Sequence, residues 1–325
     1  MQFQISREFI EKIEALVESK NNKELLVQLE DMHHADIAEI LEELDLNDAT
    51  YVIKLLESDK TAEVLLELDD EDREKILDNL SAKEIAGEIE EMDTDDAADI
   101  VGELSPEIKE LVIANIEDEQ HADDIVDLLR YDENSAGGLM AKELVKVNEN
   151  WSVTGCMSEM RDQAENVTRV HSIYVVDNRN KLKGRLSLKD LITAPSTSQI
   201  SDVYIDKVDY VTVDTKGEEV ARIMQKYDLE AIPVVNEMGK LVGRITVDDI
   251  LDFIKDEAEK DYQMAAGISE DVEADSSIWQ LTRARLPWLV LALLGGFISV
   301  NVLETFDFAM QKHGALFFFV PLIAA

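Results

Sequence analysis

The chain has 325 residues, a formal net charge of −40 and one cysteine, Cys156. So negative a surface repels nucleic-acid phosphates and attracts cations, which excludes nucleic acid as an expected partner. A single cysteine excludes a disulfide framework, and the length favours two or three domains.

Residues 1–130 contain a repeat of twelve residues. Apolar residues recur at that interval from Met32 to Leu128, and a second series lies three residues earlier, from Leu41 to Ile125. A unit of twelve accommodates about two helical turns and a short connection. Helix-start residues fall where the connections should be, at Asn47, Asp59, Asp70, Ser81, Thr94 and Ser105-Pro106. The pattern predicts an all-α superhelical solenoid of short helices, which typically presents surfaces rather than a catalytic cleft.

The connections in this repeat are acidic, as in Asp93-Thr-Asp95-Asp96. Carboxylates at helix starts are favoured by the helix dipole, which explains them without a ligand. A second interpretation is that some of them face another domain and hold a hydrated divalent ion. The pair His33-His34 lacks a matching partner at ligand spacing, so we expect it at the surface.

Residues 131–257 contain two copies of a small α/β unit. Residues 172–192 and 231–251 each predict a strand, a polar turn, a strand and a helix, in register 59 residues apart. The second strand of each copy ends in Gly-x-x-[Ser/Thr]-x-x-Asp, and residues 214–228 predict an amphipathic helix within the second copy.

The paired units resemble tandem CBS domains, which often bind adenine nucleotides. The resemblance implies that the motif hydroxyls and carboxylates contact ribose and phosphate; these are Ser187, Asp190, Thr246 and Asp249. The alternative, that these residues only cap helices, stays open. A partial match to a calcium loop at 132–143 is rejected because Ala136 occupies a ligand position and no helix pattern follows.

An acidic helix predicted at 246–262 leads toward an uncharged run at 286–303. At ~1.5 Å per residue such a run extends about 27 Å, close to a hydrocarbon core of ~30 Å. We expect a connecting helix at 258–285 and a transmembrane helix at 286–306. A second apolar segment, 314–325, stops in mid-run and indicates a truncated membrane protein. Arg283 and Arg285 mark the inner face of the span.

The order of these parts, with the motifs Tyr131-Asp-Glu-Asn-Ser-Ala-Gly-Gly-Leu-Met140 and Arg285-Leu-Pro-Trp-Leu289, resembles MgtE-type magnesium transporters. The resemblance divides the chain into a helical N domain (1–130), CBS domain 1 (131–197), CBS domain 2 (198–257), a "plug" helix (258–285) and the first span. It implies a homodimeric, multi-pass Mg²⁺-selective channel in contact with membrane lipid. Residues 1–285 would be cytoplasmic and would close the pore at high internal Mg²⁺.

The resemblance also implies regulatory Mg²⁺ ligands. By motif these are Glu63, Asp95, Asp96, Glu218, Asp228, Asp249, Asp252, Glu257 and Asp261. Where members of the family carry a further acid, this chain has Lys260, which puts one plug site in doubt. ATP is an additional ligand that the CBS resemblance leaves open.

Three other interpretations compete with this one. No P-loop, HExxH or GxSxG motif is present, so the sequence does not predict an enzyme. A nucleotide-sensing CBS regulator of another channel or exporter is the principal alternative, although the acidic solenoid argues against it. A solenoid that only docks partners would bind neither Mg²⁺ nor nucleotide.

Overall fold

The structure is a computed structural model, and it describes residues 5–164, 167, 169–268 and 278–305. The chain divides into two compact units, Met1–Leu251 and Asp252–Ala325, which are described separately.

The first unit begins with ten short helices. They are α1 (Arg7–Glu18), α2 (Asn22–Leu29), α3 (His34–Glu42), α4 (Leu46–Ile53), α5 (Ser58–Glu67), α6 (Asp70–Leu77), α7 (Ala82–Ile89), α8 (Thr94–Glu103), α9 (Pro106–Ile113) and α10 (Glu119–Leu128). From α2 to α9 each helix begins twelve residues after the previous one. The predicted all-α repeat of short helices is therefore confirmed.

The two apolar series occupy different places from those predicted. Leu65 and Ile89 lie in the last turns of their helices and are buried, as expected. Leu44 lies beyond the end of α3 and Leu68 is the C-cap of α5, yet both are also buried. Because each helix has only two or three turns, a side chain just beyond its end still reaches the common core.

Two of the predicted helix-start residues, Ser81 and Ser105, are N-cap residues. Ser81 forms a capping box with Glu84, and Ser105 precedes a helix that opens with Pro106. At α8 the N-cap is Asp93 rather than the predicted Thr94, which is the first helical residue.

Side chains fasten helices about thirty residues apart in sequence. Arg73 binds Glu103 with two nitrogens, Nε at 3.1 Å and Nη2 at 2.5 Å. Lys60 Nζ donates to the carbonyls of Leu29 and Glu30 at the end of α2, at 2.6 and 2.7 Å. Arg73 thus neutralises a carboxylate in this acidic array. Lys60 satisfies carbonyl groups at a helix end that have no partner within the helix.

Two three-stranded sheets follow, one in each α/β unit. The first has the order β1 (Val145–Asn148), β2 (Ile173–Val176), β3 (Leu182–Leu186), with helices α11 (Val153–Ala164) and α12 (Leu188–Thr193). The second has the order β4 (Val211–Thr212), β5 (Ala231–Val235), β6 (Leu241–Thr246), with α13 (Gly217–Tyr227). In each sheet the first pair of strands is parallel and the second antiparallel. The predicted repeated α/β unit is confirmed.

The two α/β units meet through equivalent hairpin turns. Lys181 pairs with Lys240, its counterpart 59 residues later. The amide of Leu182 donates to the carbonyl of Gly239 at 3.1 Å, and that of Leu241 donates to Asn180 at 3.0 Å. This reciprocal pairing is what an internal twofold relation between the units requires.

Residues 140–143, which we call the strap, run between the helices and strand β6. Ala141 and Arg244 exchange backbone hydrogen bonds of 2.8 and 2.9 Å, so the strap adds to the edge of β6. The approach is close at Gly243, where a Cβ would lie 2.7 Å from Met140 Sδ and 2.8 Å from the Ala141 carbonyl oxygen. Glycine at this position is what allows the strap to reach the strand.

The second unit continues α14 (Val247–Ala265), which begins in the first unit, and contains α15 (Ile278–Thr305). By length and composition Thr282–Val302 can cross a membrane, with a mean hydropathy of 1.6. Helix α15 begins at Ile278 and contains Pro287, so the helix extends before residue 286; the bounds 286–306 for the membrane span stay a prediction. The predicted segment 314–325 lies outside the described residues.

Gly243→Ala should lower the free energy of unfolding by about 1–3 kcal/mol, because the added methyl group overlaps the strap. The matched control is Gly87→Ala, where a Cβ meets nothing within 4 Å and helix propensity should raise stability by about 0.5–1 kcal/mol. Urea denaturation of both variants measures the difference, and equal midpoints would refute the close-approach argument.

A pH effect is expected from Glu88 in α7, where burial raises the carboxyl pKa to about 7. Ser58 opposes this rise, whereas the charges of Glu91 and Glu84 add to it. A raised folded-state pKa contributes stability at low pH that is lost as the pH rises through 7. Between pH 6 and 8 the loss should be at most about 1.4 kcal/mol, and less because solvent screens this half-buried carboxyl. Glu88→Gln should abolish this part of the pH dependence of urea unfolding.

A candidate divalent-cation site at the strap

The start of α8 carries three aspartates, of which one is buried. Asp93 is the N-cap, and Asp95 and Asp96 lie in the first turn, where the helix dipole favours negative charge. Asp95 is only 7 % exposed, and its Oδ1 atom is buried without a hydrogen-bond partner. A buried carboxylate oxygen without a partner is costly, which indicates a site for a positive ligand.

The strap brings a further carboxylate to this helix start. Thr94 donates to Glu143 Oε2 from its backbone amide at 3.2 Å and from its hydroxyl at 2.8 Å. The hydroxyl in turn accepts from the amide of Lys142 at 2.9 Å, and Lys142 Nζ lies 2.7 Å from Asp127 Oδ2 in α10. Thr94 therefore uses its hydroxyl to bind the strap rather than to cap its own helix.

Carboxylate oxygens of Asp93, Asp95 and Glu143 all lie within 4.8 Å of one another, and we call these three residues the junction cluster. Two unit charges at this distance repel by about 3.5 kcal/mol at an effective dielectric constant of 20. One cation compensates in part. Arg244 Nη2 lies 3.2 Å from Asp93 Oδ2, and its Nε donates to the carbonyl oxygen of Glu143.

The surroundings shift the pKa values of the acids in the same direction. Burial raises the pKa of Asp95 well above its usual range, and the charges of Asp96 and Asp249 add to the rise. Burial also raises the pKa of Asp93, an effect that Glu143 strengthens and Arg244 opposes. Binding of either a proton or a metal cation by these carboxylates is therefore favoured.

Oxygen donors of this kind suit Mg²⁺, a hard cation that is held by one or two carboxylates and keeps several waters. Asp95 is the residue best placed to supply a ligand because its inner oxygen has no other partner. The junction cluster therefore fits a hydrated divalent ion better than a permanently dehydrated metal.

Of the residues predicted from the sequence, Asp95 lies in the junction cluster and Asp249 is a close electrostatic neighbour of it. Asp96 is half-buried beside them. Glu63 is not a member of this cluster; its Oε2 lies 2.6 Å from His34 Nδ1. The pair His33-His34 is expected at the surface; His33 is exposed, whereas His34 is partly buried and its Nε2 also lies 3.3 Å from Glu67 Oε1.

The remaining predicted ligands lie elsewhere. Glu218 and Asp228 are exposed at the two ends of α13, where Asp228 is a left-handed C-cap with φ 50°. Asp252, Glu257 and Asp261 belong to the second unit, along α14. Lys260 Nζ lies 3.8 Å from Glu257 Oε1, so the lysine neutralises part of that stretch.

The sequence interpretation did not select Asp93 or Glu143 as ligands. In the sequence, Glu143 stands out only as the last residue of the rejected calcium loop. It lies 49 positions after Thr94, so no local spacing connects it with the start of α8. For Asp93, the signal in the sequence is its place in the acidic connection Asp93-Thr-Asp95-Asp96.

The residues proposed for nucleotide contact are engaged in helix capping. Ser187 Oγ accepts from the amide of Asp190 at 3.0 Å and donates to Asp190 Oδ2 at 2.6 Å. The amide of Thr246 donates to Asp249 Oδ2 at 2.8 Å. Both interpretations of these residues remain compatible with this arrangement, because capping groups can exchange partners with a ligand.

Comparison with known proteins gives two family matches. Residues 32–134 match the MgtE intracellular N domain, and residues 136–197 and 200–256 each match the CBS domain. The magnesium transporter MgtE of Thermus thermophilus is 40% identical over 198 residues, which are 60% of this chain and 44% of the relative. The magnesium transporter MgtE of Bacillus subtilis is 34% identical over 197 residues, 61% of this chain and 44% of the relative. The chain thus spans less than half the length of these curated relatives.

A solved structure shares the arrangement of helices and sheets. The crystal structure of the cytosolic domain of the Mg²⁺ channel MgtE in complex with ATP is 35% identical, with a TM-score of 0.70. The match covers 75% of this chain and 99% of that one. The predicted fold class, a helical domain followed by a pair of CBS units and a helix that can span a membrane, is confirmed.

Asp95→Asn should raise the thermal stability of the chain in chelator, because it keeps the size of the side chain and removes a buried charge. The same change should reduce the stabilisation by Mg²⁺, because the ion loses a ligand. Differential scanning fluorimetry with and without Mg²⁺ measures both effects. Glu237→Gln, at an exposed turn, removes one charge elsewhere and is the control. Equal Mg²⁺ responses in both variants would contradict a site at Asp95.

Proposed function

We propose that this chain, which belongs to the MgtE family, is the magnesium-sensing part and first membrane span of a protein that transports Mg²⁺ across the cell membrane. The observation that carries the proposal is the buried, unpartnered oxygen of Asp95 within the junction cluster. The transport activity comes from the relatives, which are named magnesium transporters. The matched residues cover 44% of each of these relatives, so the proposal for this chain does not include the pore.

The proposed mechanism begins with electrostatic repulsion. Without a divalent ion, the junction cluster and Asp249 oppose the packing of α8 against the strap and the second α/β unit. With Mg²⁺ bound, the repulsion becomes attraction and the packed arrangement is favoured. The ion acts only through its higher affinity for that arrangement, and roughly 1–3 kcal/mol per site suffices when several sites contribute.

Along the chain, this site is followed first by α14 and then by α15. Strand β6 pairs with the strap and ends at Thr246, and α14 begins at the next residue. A change in how the helices dock on the strap therefore acts on the strand that precedes α14. In our proposal, α14 carries this change toward α15, and its carboxylates Asp252, Glu257 and Asp261 supply further weak ion sites.

Several properties of the whole protein extend the proposal. In this proposal the protein is a homodimer whose membrane part forms the pore and contacts lipid. Arg283 and Arg285 place the preceding residues in the cytoplasm by the positive-inside rule. We retain the domain boundaries predicted from the sequence as part of this proposal.

A second ligand, ATP, is favoured by one observation. A structure 35% identical to this chain, the cytosolic domain of an Mg²⁺ channel, was solved in complex with ATP. We propose that Ser187 and Asp190, with Thr246 and Asp249 as their counterparts, exchange their capping hydrogen bonds for contacts to a nucleotide. Nucleotide would then adjust the response to Mg²⁺ rather than replace it.

The test is a distance measurement in the whole chain in detergent. Spin labels are attached at Glu107→Cys in α9 and Glu237→Cys in the hairpin turn, both of which are exposed. The natural Cys156 is fully buried, and burial raises its thiol pKa to about 11, so it should not compete for label. Mg²⁺ should narrow the distance distribution, whereas KCl at matched ionic strength should not.

Two results would contradict the proposal. A distribution unchanged between chelator and excess Mg²⁺ would exclude ion-dependent docking. A distribution that narrows with ATP in chelator but not with Mg²⁺ would favour a nucleotide-sensing regulator of another channel or exporter.

A further inference from the structure

We propose that Arg244 is the counter-ion of Asp93 in the junction cluster. By neutralising this carboxylate, Arg244 sets the Mg²⁺ concentration that is needed to dock the helices on the second α/β unit. This inference rests on the proposed function, because it concerns the ion requirement of the same site. It assigns different roles to two acids of the junction cluster, since Asp95 is left to bind the ion while Asp93 is neutralised by the protein itself.

The contacts of Arg244 connect three parts of the molecule. Its side chain is 7 % exposed, lies in β6 and binds Asp93 at the N-cap of α8 with an Nη2–Oδ2 distance of 3.2 Å. Its Nε donates to the carbonyl of Glu143, and its backbone pairs with Ala141. One residue thus holds the strand, the strap and the first turn of α8 together without any metal ion.

The internal repeat supplies a natural comparison. Arg185 occupies the position equivalent to Arg244 in the first α/β unit, 59 residues earlier, and each arginine follows a glycine at a close backbone approach. The backbone of Arg185 also pairs with a neighbouring segment, at Ile205. Its side chain is nevertheless exposed, whereas that of Arg244 is buried against an acid of the helical region. The geometry of the strands explains the backbone pairing of both arginines. The burial of the Arg244 guanidinium is explained by its contacts in the junction.

Charge counting explains what this arrangement does. Three carboxylates in the junction cluster carry three negative charges when ionised, and a single divalent ion leaves one of them uncompensated. Arg244 supplies the missing positive charge at a fixed place. Because a guanidinium is always protonated and weakly hydrated, it performs this role in a buried position where lysine would do so less well. The prediction is that docking then requires less Mg²⁺ than the acids alone would demand.

The experiment uses the whole chain with the labels at positions 107 and 237, and measures the Mg²⁺ concentration that gives half of the docked distribution. Arg244→Gln should raise this concentration about tenfold, because it leaves Asp93 half-buried without a counter-ion. Arg185→Gln, the matched control, should change it less than about twofold, as expected for an exposed arginine. Arg244→Lys keeps the charge and should fall between the wild type and Arg244→Gln.

The decisive measurement is the double variant Arg244→Gln with Asp93→Asn. If Asp93 is the counter-ion of Arg244, removing it should lower the required Mg²⁺ back toward the wild-type value, which a merely structural loss at Arg244 would not produce. If Asp93→Asn instead raises the requirement further, Asp93 is an ion ligand and the inference is wrong. Equal values for Arg244→Gln and Arg185→Gln would also overturn it.

The outcome also separates this inference from the function beneath it. A wild-type chain that does not respond to Mg²⁺ overturns the proposed function, whereas a responsive wild type with an unaffected Arg244→Gln variant overturns only the role of Arg244. Should Arg244→Gln not fold, as judged by circular dichroism, Asp93→Asn in the otherwise natural chain gives the decision. A required Mg²⁺ concentration at or below the wild-type value agrees with Asp93 as the counter-ion of Arg244, and a raised one overturns the inference.

Discussion

The structure depends on negative charge brought together by folding. Asp93, Asp95 and Glu143 come from two segments that are distant in sequence, and packing the strap against α8 places their oxygens within 4.8 Å of one another. Burial of Asp95 makes this arrangement more costly, since a desolvated carboxylate without a partner loses its hydration and gains nothing in return. Because these carboxylates destabilise the packed arrangement, any cation that enters the junction cluster should stabilise the packing of the strap against α8.

Contacts elsewhere in the first unit offset this repulsion. The twelve-residue repeat lets the short helices share a core, which also takes in residues beyond the helix ends such as Leu44 and Leu68, and cations such as Arg73 and Lys60 fasten helices across the array. These contacts join helices that are distant in sequence, so the start of α8 belongs to a continuous packed array.

Protein cations and metal cations have different roles at such a site. A guanidinium provides a constant charge that does not depend on the ionic composition of the cytoplasm, so Arg244 defines a baseline for docking. A divalent ion provides a charge that depends on its concentration, which suits a sensor. The partial compensation observed here, with Asp93 paired and Asp95 unpaired, is the arrangement in which a weakly binding ion still changes the balance between docked and separated states.

Local chemistry in the sequence determined most of the architecture. The repeat of twelve, the capping residues Ser81 and Ser105, the two strand–turn–strand–helix copies and the long apolar run each depend on neighbours a few residues away, so their patterns could be interpreted directly. Asp95 and Asp249 were also named from the sequence, through a family resemblance. The uncharged run that predicts the membrane span begins at residue 286, whereas α15 begins at Ile278 and continues through Pro287.

Only the tertiary structure decided which acids meet. Glu143 lies far along the chain from Asp93, and the two come together because Gly243 lets the strap approach β6 and Thr94 turns its hydroxyl toward Glu143. The pairing of Glu63 with His34, and the burial of Arg244 while Arg185 stays exposed, are likewise products of packing. Electrostatic interactions act through space rather than along the chain, so sequence spacing alone does not contain them.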